Sequence, residues 1–142
     1  MGTEDRAAAA DVPAEILARV RSVCLALPEA HEEQAWVGTR WRVRTHTFAH
    51  VLTVESGRPP AYARAAGTEG PAVVLTFRGD PAELDALAGV GAPYFRVRWG
   101  RDVGGLVIGP DTRWDEVAEL LTDSYCVMAP AKLAEQVHRP PG

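Results

Sequence analysis

A chain of 142 residues with 46% hydrophobic and 24% charged content and a net charge of −4 has the length and balance of one soluble domain, able to close a core without disulfide or metal help. No apolar run approaches the roughly 18 residues that a spanning helix needs, and the opening MGTEDRAAAAD carries acids where a signal sequence would carry an apolar core. The expectation is a cytoplasmic protein with no membrane role, and the acidic balance argues against a domain that is basic overall, as nucleic-acid binders usually are.

In chain order, residues 1–11 read as a flexible lead-in, 12–138 as a single domain and 139–142 as a flexible tail. Asp11 and Pro13 mark a helix start, and Ile16, Leu17, Val20, Val23, Cys24 and Leu27 then repeat at helical spacing until Pro28 stops them. From Trp36 the period changes to two. Trp41 and Val43 alternate with Arg40, Arg42 and Arg44, and a turn near 44–47 leads to a second strand through Val54, giving an antiparallel hairpin. SGRPPAYARAAGTEGP (56–71) reads as loop with at most one short edge strand. AVVLTF (72–77) reads as a buried strand. GDPAELDALAG follows as a helix capped by Asp80, with Pro81 at its first position and Gly89 as its stop. PYFRVRW (93–99) alternates again, with Phe95, Val97 and Trp99 on one side and Tyr94, Arg96 and Arg98 on the other. VGGLVIG pairs back as the last strand. Asp111 or Thr112 caps a helix carrying Trp114, Val117, Leu120, Leu121, Cys126 and Val127, and a short helix through Val137 follows Pro130.

Strands joined by tight turns imply an antiparallel sheet, so the fold class is α+β: two layers, with the sheet backed on one face by the N-terminal and C-terminal helices. The other face is left open, and a regular pleat aims the arginines at it.

The charge is uneven. Residues 1–39 carry three arginines against seven acids, 102–142 carry two arginines and Lys132 against seven acids, and 40–101 carry nine arginines against five acids. If the strands lie side by side, Arg40, Arg42, Arg44, Arg96 and Arg98 share one face with Tyr94, and Arg78 stands at its edge. Guanidinium forks match phosphate, and an aromatic ring among them can stack a base or a drug ring. The plainer reading is a solvated face whose arginines pair with nearby acids such as Glu55 or with acids on loops.

Other residues offer less. Cys24 and Cys126 lie far apart in apolar helical contexts, as reduced thiols do. His46 and His50, four apart on a strand, would share a face roughly 13 Å apart, too far for one metal ion. His31, Glu32 and Glu33 supply carboxylates with no facing partner that sequence identifies. The four tryptophans read as core, and Tyr125 as a buried hydroxyl seeking a partner. No catalytic constellation, cofactor motif or metal site emerges, so the expectation is a non-enzymatic protein, monomeric or weakly homodimeric.

LALPEA (25–30), WVG (36–38), RWRV (40–43), TFA (47–49), LTFRGDP (75–81), TDSY (122–125) and AKL (131–133) occur in an order and spacing that resemble the MmcQ/YjbR family over most of the chain. The resemblance implies an α+β fold related to secretion chaperones and similar to a double-wing DNA-binding module. DNA is therefore the implied partner, through the arginine positions above. Arg78 stands where the family usually has Lys, keeping the charge. Val103 stands where the family tends to carry an aromatic residue, and Trp99 is placed to fill that space. The four tryptophans and a family member named from a mitomycin gene cluster add a second class of ligand, an aromatic natural product held between helix and sheet, and the chaperone likeness adds a third, a protein partner.

Overall fold

Residues 11–137 are described by the computed structural model. Pro13 is the N-cap of α1 (Ala14–Cys24), which has no side-chain cap. Asp11 therefore lies too far upstream for the capping role expected of it, and its carbonyl instead accepts from Thr53 Oγ1 at 3.0 Å. Three strands follow: β1 (His31–Gln34), β2 (Thr39–Val43) and β3 (His46–Val54). β1 has no apolar alternation, which hid it in the sequence. As a short charged edge strand it discourages pairing with a further chain.

Next come α2 (Pro60–Ala66), β4 (Ala72–Arg78), α3 (Pro81–Val90), β5 (Tyr94–Arg96), β6 (Val103–Ile108), α4 (Trp114–Met128) and α5 (Ala131–Ala134). α2 occupies a stretch expected to be loop. Pro60 in its first turn and left-handed Gly67 at its end are helix punctuation, but seven residues are too few to show a period. In α3 the Asp80 side chain accepts from the Ala82 and Glu83 amides as expected, while the stop falls at Gly91, beyond Gly89. α4 begins at Trp114 with Arg113 as its uncapped N-cap, not Asp111 or Thr112. Thr112 Oγ1 accepts from the Gly109 amide at 2.8 Å instead. No described helix is long and apolar enough to cross a membrane.

The six strands form one antiparallel sheet in the order β1-β2-β3-β4-β6-β5. The register of β2 against β3 shifts between Trp41 and Arg42. Phe48 is the extra residue of this bulge, and it joins Ala49 in the core cluster beneath the helices. His46 and His50 consequently fall on opposite faces, contrary to the simple alternation expected.

The two faces are closed to different extents. On the helix-covered face, Trp41, Val43, Phe48, Val51, Leu75 and Leu106 pack beneath Val20 and Cys24 of α1 and Val117, Leu121 and Tyr125 of α4. Phe48 and Tyr125 meet edge to face at 5.3 Å, and the Tyr125 hydroxyl donates to the Pro28 carbonyl at 2.6 Å, the buried partner expected for it. Ser124 ties the layers by polar bonds. Its hydroxyl donates to the Phe48 carbonyl at 2.5 Å and accepts from the Arg78 amide at 2.7 Å. Cys24 is buried and Cys126 half-buried, both as free thiols; burial pushes the Cys24 thiol well above its ordinary range.

The second face is not fully open, as had been expected. A smaller cluster of Leu52, Val54, Val74 and Ala63, with Tyr62, Phe95 and Val107 against it, places α2 over the β4–β6 end. The Phe95 ring lies where a Cβ on Gly105 would be, so that position needs glycine. On this face the start of β3 and the end of β4, beside Arg40 of β2, stay uncovered.

Candidate functional site

The arginine face expected from the alternation is not assembled. β2 and β5 are separated by β3, β4 and β6, roughly 19 Å at the usual strand spacing. The two rows also point in opposite directions. Arg40 pairs across the sheet with His50 and Thr76 on the α2 side. Arg96 pairs with Gly104, which faces Phe77 on the helix side. Arg96 reaches Asp85 of α3 at 2.8 Å and the Val103 and Arg101 carbonyls at 2.8 and 2.9 Å, so all three of its nitrogens serve the fold. Tyr94 shares that side and packs against the helix core. β5 ends at Arg96, leaving Arg98 in an exposed bend.

Acids of β1 and its neighbourhood claim the other row. Arg40 donates through Nε and Nη2 to Glu33 Oε1 at 3.0 and 2.7 Å, and Arg42 through Nη1 to Oε2 at 3.5 Å. Arg42 also donates to the Thr45 carbonyl. Arg44, at the hairpin turn with φ 56, pairs with Glu29 at 2.9 Å. The Arg40 hydrogen bond holds the Glu33 carboxyl below its usual range. Glu32, on the opposite side of β1, takes Arg21 and the Trp41 indole. The carboxylates of HEE thus do have facing partners, supplied by an edge strand that the sequence did not reveal. Pairing of this kind was the plainer reading of the arginines, although the partners are Glu29, Glu33, Asp85 and Asp102 and not Glu55.

What the uncovered end of the sheet holds instead is a groove of about 490 Å³, a volume that suits a small organic ligand. Its floor is strand surface: Arg40, Thr47, His50, Thr76 and Arg78. Its walls are Tyr62 of α2, Trp99 and Gly100 of the β5–β6 bend, and Trp36 and Val37 of the β1–β2 loop. That loop lies close over β3 because of Gly38, which has φ 78 and no room for a Cβ beside the Val51 carbonyl. Trp36 is 82% exposed and Trp99 49%, whereas Trp41 is fully buried and Trp114 packs against the core. Two of the four tryptophans are therefore surface groups, not the core residues expected. Val103 also lines the groove beside Trp99.

The wall has a fixed polar arrangement. Burial, as the main cause, keeps the His50 imidazole neutral, with its pKa below the ordinary 6.5. The contact of Nε2 with the Val37 carbonyl at 2.6 Å requires the proton on that nitrogen, so Nδ1 is an acceptor. It accepts from the Tyr62 hydroxyl at 3.2 Å. The Tyr62 ring in turn meets Trp99 at 4.8 Å, edge to face. His50 and Tyr62 thereby brace Trp99, and the Tyr62 oxygen turns only acceptor lone pairs toward the groove.

Charge distinguishes this groove from other concavities. Arg40 and Arg78 line it and no carboxylate does. Four other concavities, including one of about 740 Å³ beside β5 and one of about 870 Å³ beside α1, each carry at least one acid. Of the residues expected to bind, Arg40 and Arg78 are brought together here, while Arg42, Arg44, Tyr94, Arg96 and Arg98 are not among its lining. Trp36 and Trp99 were legible as binding groups only among the four tryptophans that suggested an aromatic ligand, and Thr47, His50, Tyr62 and Thr76 were missed. Among the described residues no three His, Cys, Asp or Glu side chains could hold a metal ion.

Comparison with known proteins agrees with this architecture. A Deinococcus radiodurans protein, DR2400, with a DUF419 domain, is similar in structure with a TM-score of 0.52 and 18% identity, covering 78% of this chain and 76% of that one. A Pseudomonas syringae protein aligns with a TM-score of 0.61 and 10% identity over 83% of this chain and 99% of its own. At these identities the likeness concerns the fold alone. No curated protein matches the chain. The YjbR family model matches residues 25–127, which span the groove and all six strands of the sheet, and the chain belongs to the YjbR family.

Proposed function

We propose that this YjbR domain is a non-enzymatic binding protein that holds a planar aromatic small molecule in the groove between the β1–β2 loop, α2 and the β5–β6 bend. The observation that carries the reading is the exposure of Trp36 and Trp99 along a concavity of about 490 Å³ whose floor is rigid sheet. Exposed indoles in a preformed cleft gain more from a flat apolar ligand than from water. His50 is held neutral by burial and both of its ring nitrogens are already engaged, Nε2 by the Val37 carbonyl and Nδ1 by the Tyr62 hydroxyl, an arrangement suited to shape and not to proton transfer.

The alternative of DNA held on an arginine face loses its geometric basis, because the guanidinium groups lie on opposite faces and are paired with Glu33, Glu29 and Asp85. The two readings separate in one experiment. Tryptophan fluorescence is followed while naphthalene-sized aromatics, and in parallel a DNA duplex at low salt, are titrated in. Quenching by the aromatics that is lost in Trp36→Phe/Trp99→Phe supports the groove. Tight, salt-sensitive duplex binding with no response to the aromatics would overturn it.

A further inference from the structure

Resting on that reading, we infer that the ligand is a planar aromatic acid whose anionic group is taken by Arg78. The arginines of this chain differ in what their nitrogens are already doing. Arg40 spends its Nε–Nη2 edge on Glu33, and Arg96 has all three nitrogens engaged. Arg42 binds Glu33 and the Thr45 carbonyl while its Nε is buried. Arg78 donates to Asp102 through Nη1 at 2.9 Å, and among the described residues its Nε–Nη2 edge has no partner. That edge presents two parallel N–H groups, the pattern that matches a carboxylate or a phosphate in a two-point contact.

Position makes the edge useful. Arg78 ends β4, next to Gly79, and its amide is pinned to the Ser124 hydroxyl at 2.7 Å, so the base of the side chain is fixed by the core. The same residue lines the groove whose aromatic walls are Trp99 and Trp36, and Thr76, two residues back on the same strand, adds a hydroxyl on the groove floor. Asp102 holds the guanidinium from the β6 side without itself lining the groove. A ring against the indoles and an anion at Arg78 would occupy one continuous surface. Neutral His50 and the lone pairs of Tyr62 flank the ring and not the anion.

The test uses the full chain and matched probes: 2-naphthoate, 2-naphthyl phosphate and the neutral 2-naphthalenemethanol, titrated by tryptophan fluorescence and by calorimetry. The naphthoate or the phosphate should bind about tenfold tighter than the alcohol, the scale of a charge-assisted two-point contact. The ratio should fall toward one in Arg78→Met and persist in Arg44→Met, whose side chain is outside the groove. Preference for the carboxylate over the phosphate, or the reverse, identifies which anion fits. Equal affinity for acids and alcohol, or a preference that survives Arg78→Met, would overturn the proposal while leaving the groove reading standing. Failure of all three probes to bind would overturn both. Because the wild-type comparison among probes needs no substitution, a poorly folding variant does not remove the test.

Discussion

The two faces of this sheet use the same residue types to opposite ends. On the helix-covered face, aromatic rings and arginines are consumed by the structure: Trp41 and Phe48 are buried beneath α1 and α4, and Arg96 is spent on Asp85 and two carbonyls. On the α2 face, Trp36 and Trp99 stand exposed and Arg78 keeps an edge uncommitted beside a groove. The difference comes from cover. Fifteen residues of α4 lie across β3 and β4 on one side, while the seven residues of α2 on the other cover β5, β6 and the adjoining Leu52, Val54 and Val74, and leave the start of β3 and the end of β4 open. Residue type alone does not say which role a side chain plays; the layer over it does.

Substitutions on the two faces should separate accordingly. The largest effect is expected from Phe48→Ala, which opens a cavity against Tyr125 and should cost about 3–5 kcal/mol in urea unfolding. Trp36→Ala, a change of greater volume, should stay within about 0.5 kcal/mol and yet abolish most aromatic binding. The reverse order would break the contrast between a closed and an open face. Next is Ser124→Ala, which leaves the Phe48 carbonyl without its donor and the Arg78 amide without its acceptor; roughly 1–3 kcal/mol is expected, read by the same unfolding curve.

A third prediction concerns pH. His50 is neutral and depressed below 6.5 in the fold, so below about pH 6.5 the unfolded chain binds a proton that the folded chain resists. Stability should therefore be full above that value and decline as pH falls, and thermal melting of His50→Gln should follow a flatter pH profile than the wild type. Equal slopes would show that this imidazole is not held neutral. The smallest effect on stability is expected for Glu33→Gln. It releases Arg40 and Arg42, leaving melting nearly unchanged because surface pairs contribute little, while weak, salt-sensitive DNA affinity rises.

Much of the architecture was legible because its signals are local. Period-two stretches gave β2 and β3, the apolar run AVVLTF gave β4, Asp80 with Pro81 gave α3, and the stripe from Ile16 to Leu27 gave α1. The ordered motifs from LALPEA to AKL pointed to the family that the matched residues 25–127 show. What failed was non-local or too short to have a period. β1 is four polar residues, and α2 is seven residues inside a stretch rich in Gly, Pro and Ala. The arginine face failed for a physical reason: equal spacing within two strands says nothing of the three strands between them, nor of the bulge at Phe48. The groove was illegible because its walls come from three separate connections, at Trp36, Tyr62 and Trp99. Arg40 and Arg78 were legible on charge, and Trp36 and Trp99 only as two of four tryptophans that suggested an aromatic ligand.

The most direct measurement is an NMR titration of the full chain with 2-naphthoate, following backbone amides and indole N–H signals. Shifts concentrated at the Trp36 and Trp99 indoles and at residues 47–50 and 76–78, with the Trp41 indole unmoved, are the predicted result. An unchanged spectrum, or shifts gathered along β5 and the start of α4 instead, would contradict a ligand groove on the α2 face.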